Sequence, residues 1–300
     1  MIPAQEAPFV ATRVAGARRI YAYIELVKPR VVGMIVVTTL VGFYLASHGP
    51  TNAWLLFHTL ASTGIAAAGT LALNQYLERD LDAIMLRTRS RPLPAGKLEP
   101  SEVLTFGTSL AALGIAYQVF AVGTLAAVVT SATTTSYLFL YTPMKRWTPF
   151  CSLVGAVPGA LPPVTGWAAA AGQLDVGAWV LFAILFLWQL PHSLAIARMY
   201  REDYARAGIR LLPVIDPDGG STGRQTVVNS AALLSVALLP TLVGLSGGLY
   251  FYSALALGLM LLGFSVQLAR TRALADARRL LFASLVYLPT LLAIMAANKL

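Results

Sequence analysis

Apolar runs close to 20 residues long recur from Val31 to the end of the chain, and nothing else constrains its fold as strongly. A bilayer core takes about 20 apolar residues per crossing helix, and backbone groups inside it must be satisfied within the segment, which favours helices. The runs place nine helices, at 31–47, 54–82, 101–120, 124–141, 149–171, 176–200, 224–245, 249–269 and 275–297. An amphipathic lead-in at 20–28 precedes them, with Tyr21 and Tyr23 suited to the membrane interface. The expected architecture is an all-α membrane protein with nine transmembrane helices bundled around a central cavity. Residues 1–30 form its N-terminal segment and 31–300 one intramembrane domain. Ser101 reads as the N-cap of the third helix, with Glu102 in its first turn. Pro158, Pro162 and Pro163 interrupt the fifth helix and Pro191 the sixth.

Every lysine and arginine except Lys299 falls in the N-terminal segment or beside the loops after helices two, four, six and eight. That alternation predicts a cytoplasmic N-terminus, an outside C-terminus and those four loops in the cytoplasm, in a cell (inner) membrane. Among the acids only Asp175 falls in an outer loop, so polar chemistry is expected to face the cytoplasm. With 57% hydrophobic and 12% charged residues, no segment is left for a soluble domain. A net charge of +9 could suit nucleic acid, but the cations sit in short inter-helix loops, which points to orientation and small anionic partners instead. Cys151 is the single cysteine, which excludes a disulfide framework, a cysteine-rich metal site and c-type heme attachment; it reads as a small buried thiol. Arg13, Arg18 and Arg19 precede no short apolar core with a cleavage site, so no removable signal peptide is expected.

Residues 74–96 break the apolar pattern. Glu78, Asp80 and Asp82 lie within five positions, among Arg79, Arg87, Arg89 and Arg91. On a helix, Asn74, Glu78 and Asp82 share one face at i, i+4 steps while Asp80 turns away. Aligned acids at the end of a membrane helix are costly and ask for a function. A second polar group closes helix six, where His192 and Asp203, eleven apart, are expected on one face with Trp188 a turn earlier. A membrane-depth histidine beside Pro191 is either a ligand or base, or a packing residue hydrogen-bonded between helices. Carboxylates at this spacing share Mg²⁺, which keeps several waters and bridges to phosphates. Arginines take the remaining phosphate oxygens in pairs. Acids and arginines together point to a metal–diphosphate site; the plainer reading is that the arginines only orient the chain and the acids neutralise them.

The pattern Asn74-x-x-x-Glu78-x-x-x-Asp82, followed by Arg87-Thr-x-x-Arg91-Pro-x-Pro-x-Gly96, resembles the first motif of the UbiA superfamily of intramembrane prenyltransferases. Pro191-His192, Tyr200-Arg-Glu-Asp-Tyr204-x-x-Ala-Gly208 and Tyr141-Thr-Pro-Met-Lys145-Arg146 are similar to its heme O synthase branch, the protoheme IX farnesyltransferases. The resemblance runs over essentially the whole chain. It implies a farnesyl diphosphate donor, Mg²⁺ as cofactor and heme B as acceptor. It implies that Asn74, Glu78 and Asp82 hold Mg²⁺–diphosphate from one side and Asp203 from the other, with Arg87, Arg91, Lys145 and Arg201 as diphosphate contacts. His192 would ligate heme iron or activate water. Trp188, Tyr76, Tyr137 and Tyr141 are aromatic faces able to stabilise an allylic cation. Downstream heme-processing or terminal-oxidase assembly proteins are implied partners. The chain departs from the pattern at Gln75 and Glu78, where aspartate is common, at Ala207 in the second motif, and at Arg210, where the heme branch favours proline. Alternatives are a relative acting on an aromatic or quinone precursor and, from another class, a non-catalytic heme-handling or transport protein.

Overall fold

The structure, a computed structural model, describes residues 16–300; Arg13 and the first half of the expected N-terminal segment lie outside them. The described chain is all-helical: α1 (Gly16–Val27), α2 (Pro29–Ala46), α3 (Ala53–Ile84), α4 (Pro100–Ala121), α5 (Thr124–Thr135), a π-helical turn (Ser136–Tyr141), α6 (Thr142–Met144), α7 (Cys151–Ala160), α8 (Pro162–Ala171), α9 (Val176–Met199), α10 (Arg201–Arg206), α11 (Leu212–Ile215), α12 (Gly220–Ala237), α13 (Leu239–Leu242), α14 (Gly248–Thr271) and α15 (Leu274–Ala297). Among the described residues, eight helical segments are long and apolar enough to cross a membrane. The expected span at 124–141 is helical throughout, but its regular α-helix ends at Thr135 and passes into the π-turn.

Successive helices pack as neighbours, α2 on α3, α3 on α4 and α4 on α5. The chain continues through α7 and α8 to α9, then α12, α14 and α15, and α15 packs against both α9 and α2, closing the bundle on itself. The main core holds Trp167, Leu181, Ile184, Tyr250, Tyr287 and Leu291. Proline explains the breaks. Pro162 and Pro163 divide the fifth expected helix at Leu161 and open α8, where their missing N–H groups cost least.

Two sequence expectations need correction. The third helix begins at Pro100 with Glu99, not Ser101, at the N-cap; the Glu102 carboxylate reaches back to the Glu99 N–H at 3.2 Å. The sixth helix stops at Met199, because Tyr200 leaves helical geometry at φ −109° and ψ 27°. Asp203 therefore lies on the separate α10 and does not share a continuous helical face with His192. Gly208 does end that segment in the left-handed region, at φ 68°, a conformation glycine adopts without a Cβ penalty.

Candidate active site

The 74–82 face of α3 turns inward as its spacing requires. Asn74, Gln75, Glu78 and Asp82 are buried, whereas the Asp80 side chain is 87% exposed. Buried carboxylates demand partners, and each has a cation. Lys145 Nζ lies 2.6 Å from Glu78 Oε1. Arg91 Nη1 lies 2.7 Å from both oxygens of Asp82. The loop after α3 carries Arg91 back over the helix end through consecutive turns, tied by the Thr88 hydroxyl donating to the Asp82 carbonyl at 2.9 Å. Burial alone would lower the Lys145 ammonium, but the Glu78 carboxylate holds it well above its ordinary value.

Asn74 is the hub of the polar layer. Its amide donates to Thr142 Oγ1 at 3.2 Å, and its oxygen faces Tyr137 Oη at 3.5 Å and Lys28 Nζ at 3.4 Å. Thr142 in turn donates to the Tyr137 carbonyl at 2.8 Å, inside the π-turn. That wider turn sets Tyr137 and Tyr141 side by side, ring centroids 5.4 Å apart, an irregularity frequent at functional sites. Gly155 leaves room for the Tyr141 ring, which a Cβ at that position would strike.

Lys28 was legible only as part of the basic N-terminal tally. It sits between α1 and α2 at φ 50°, a strained conformation for a side-chain-bearing residue, which turns its ammonium onto Asn74. Burial, then repulsion from Arg91, lowers its pKa from 10.5 to about 8. The one available signal was a lysine immediately before the Pro29 that opens the first span. Gln75 also gains an explanation. Its amide donates to the Leu26 carbonyl at 2.7 Å, fastening the end of α1 to α3.

The second expected wall divides. Asp203 is buried and accepts from the backbone N–H groups of Leu86 and Arg87, at 3.1 and 3.3 Å, and from Arg206 at 3.1 Å. It thus pins the loop that carries the arginines. Arg87 stacks over Tyr200 and Tyr204 at 4.9 and 4.5 Å. Arg201 points to the Pro217 carbonyl at 3.4 Å, away from the α3 acids. Tyr76 lies under Arg79, 4.6 Å from its guanidinium, and packs with the α1 cluster; among the described residues it is absent from the cavity lining.

Next to the acids lies a cavity of about 690 Å³ whose lining includes Arg30, Tyr137, Tyr141, Tyr204, Trp188 and His192. The ion-paired acids stand just outside that lining, joined to it through Tyr137. His192 Nδ1 is 2.8 Å from Ser284 Oγ, and the Ser284 hydroxyl donates to the Leu281 carbonyl at 2.7 Å. With the Ser284 hydroxyl directed to Leu281, the His192 tautomer that satisfies both groups is the one whose Nδ1–H donates to Ser284, which leaves the Nε2 lone pair free. Trp188 stacks on the imidazole, centroids 4.7 Å apart and planes 21° apart, and its Nε1–H donates to the Ser284 carbonyl at 2.8 Å. The ring is fixed from two sides.

The donor set of Asn74, Glu78 and Asp82 suits a hard divalent cation: two neighbouring carboxylates and an amide oxygen. Among the described residues no group of three or more acids, histidines or cysteines could enclose an ion. A cation held there would need its remaining ligands from water and substrate phosphate, as Mg²⁺ commonly does.

Residues 35–286 match the UbiA prenyltransferase family. The chain is 48% identical over 287 residues to the protoheme IX farnesyltransferase of Solibacter usitatus (strain Ellin6076), covering 92% of this chain and 98% of that one. It is 38% identical over 285 residues to the protoheme IX farnesyltransferase of Aquifex aeolicus (strain VF5), covering 95% and 97%. The fold is similar to a digeranylgeranylglyceryl phosphate synthase at TM-score 0.79 and 16% identity, covering 94% of this chain and 98% of the other. It also matches a UbiA homolog from Archaeoglobus fulgidus bound to GPP and Mg²⁺, at TM-score 0.65 and 14% identity, covering 91% and 99%. This chain belongs to the UbiA prenyltransferase family.

Proposed function

We propose that this protein transfers a farnesyl group from farnesyl diphosphate to a vinyl group of heme B, with addition of water, giving heme O and diphosphate. The observation that carries the reading is one cavity with an imidazole in its wall and the ion-paired acids just outside its lining, joined to it through Tyr137 and Asn74. Its near-full-length likeness to protoheme IX farnesyltransferases favours this acceptor over an aromatic or quinone precursor, and over a non-catalytic transport role.

Asn74, Glu78 and Asp82 would hold Mg²⁺, which would offset the charge of the diphosphate leaving group. Lys145 and Arg91 leave their carboxylates for the phosphate oxygens as substrate arrives, and Lys28 and Arg87 complete the cationic ring. Asp203 serves from the opposite wall by holding residues 86–87 in place; Arg201 stays on the rim. The apolar cavity keeps water from the farnesyl cation as the C–O bond breaks, with Tyr137, Tyr141 and Trp188 offering aromatic faces. His192, with its proton committed to Ser284, offers Nε2 to the heme iron.

The remaining parts of the reading rest on charge placement. The 124–141 run crosses as a ninth span. The N-terminus and the basic loops face the cytoplasm of a cell membrane, and the C-terminus lies outside. Residues 1–30 act as the N-terminal segment of a single intramembrane domain. Downstream heme-processing or oxidase-assembly proteins receive the product.

The test is one incubation of the purified protein with Mg²⁺, farnesyl diphosphate, heme B and an aromatic quinone precursor, followed by mass analysis of the extracted heme and of the precursor. The expected product is hydroxyethylfarnesyl heme, lost on chelation of the metal. Unchanged heme alongside a prenylated quinone precursor would overturn the acceptor assignment.

A further inference from the structure

A second cavity of about 560 Å³ lies on the other side of α9 from the heme-sized one. Leu190 and Leu194 of α9 form its floor, Phe150 and Leu153 at the start of α7 one wall, and α12 the other. Phe150, Leu153 and Val228 are exposed, so the groove opens sideways to the bilayer rather than into the bundle.

The α12 wall is not what a lipid-facing surface should be. Ser221, Gln225 and Asn229 repeat at i, i+4 and i+8 and all face the groove. On that face Gln225 is exposed and Asn229 half-buried. Amides on a face that also carries Val228 and looks onto Leu190 and Leu194 favour an occupant with polar groups at one end over an acyl chain alone. At the same end Arg224 donates only to Ser221 Oγ, at 3.3 Å, and meets no described carboxylate at ion-pair distance. Ser221 to Asn229 spans about 12 Å along the helix. The groove thus offers a cation at the membrane surface, then amide donors, then apolar walls.

We propose that this groove holds one anionic phospholipid, its phosphate on Arg224 and Ser221, its glycerol esters accepting from Gln225 and Asn229, and an acyl chain over Leu190 and Leu194. The three zones match the headgroup, ester and hydrocarbon layers of such a lipid in order. The groove needs only the end of α12 at a membrane surface, whichever face that is and whatever acceptor the central cavity takes.

The experiment is native mass spectrometry of the full-length protein, delipidated and offered equal amounts of phosphatidylglycerol and phosphatidylcholine. Wild type is expected to retain one phosphatidylglycerol with about fivefold preference, the ratio set by one interfacial cation. Arg224→Gln removes the preference and Arg224→Lys keeps it. Val228→Trp fills the groove and lowers retention of both lipids, giving a reading independent of charge. Loss of farnesyl diphosphate by each variant at the wild-type rate shows that the bundle is intact. Equal retention by wild type and Arg224→Gln overturns the proposal. So does displacement of the retained lipid by one equivalent of heme B, which assigns the groove to porphyrin.

Discussion

Replacing Lys28 by methionine keeps the length of the side chain and removes its charge. Lys28 stands at φ 50° beside Asn74, and burial and Arg91 bring its pKa from 10.5 to about 8. At about 1.4 kcal/mol per pH unit, the fall corresponds to at most about 3.5 kcal/mol against holding the charge in the ligand-free protein. The side chain is only partly covered, so about 1–3 kcal/mol is the expected range. Below pH 8 Lys28 is charged in both folded and unfolded chains, and the penalty is fully present. Between about pH 8 and 10.5 the folded protein has released the proton that the unfolded chain still binds, so stability rises with pH. Lys28→Met is therefore expected to melt higher than wild type at pH 7, by about 2–4 °C per kcal/mol, with the gap shrinking across pH 8 to 10.5. Diphosphate with Mg²⁺ should reverse the order. The variant loses one charge-assisted contact and binds about 10–100-fold more weakly, while wild type takes up a proton on binding near pH 8.5. Melting curves with and without diphosphate, and calorimetry in buffers of different ionisation enthalpy, read both effects. A variant less stable at pH 7, or a stability gap indifferent to pH, would refute the electrostatic account.

Glu78→Ala and Asp82→Ala are each expected to abolish farnesyl transfer while leaving the protein in the membrane; full activity of either in the heme assay sinks the site assignment. Asp203→Asn keeps the shape but weakens the hold on the Leu86 and Arg87 N–H groups, so KM for farnesyl diphosphate should rise about tenfold with a smaller change in kcat, the effect of a positioning residue. His192→Ala should alter the absorption spectrum of bound heme B, and Ser284→Ala, by freeing the Nδ1 proton, should shift it less; spectra unchanged in both return the histidine to a packing role.

Membrane helices are legible because lipid leaves the backbone no other way to satisfy itself, so apolar length alone locates them. The inward face of Asn74, Glu78 and Asp82 followed from helical period in the same way, and Asp80 did point away. Local signals failed where a residue's neighbours come from elsewhere in the chain. Asp203 looked continuous with His192 because spacing carries no record of the break at Tyr200, which lets Asp203 reach the loop at 86–87. Tyr76 looked equal to Tyr137 and Tyr141, but only the π-turn carries the latter two to the cavity.

What the sequence determined by itself is what depends on one segment at a time: the helical class, the acidic face of α3, and the family, whose motifs lie in contiguous residues. The tertiary structure decided which cation meets which acid, that Lys28 belongs with Asn74, and that Ser284 sets the tautomer of His192. Those pairs lie 9 to 92 positions apart. The physical reason is that ion pairing and hydrogen bonding act over a few ångströms in space, and only the closed bundle brings such distant residues that close.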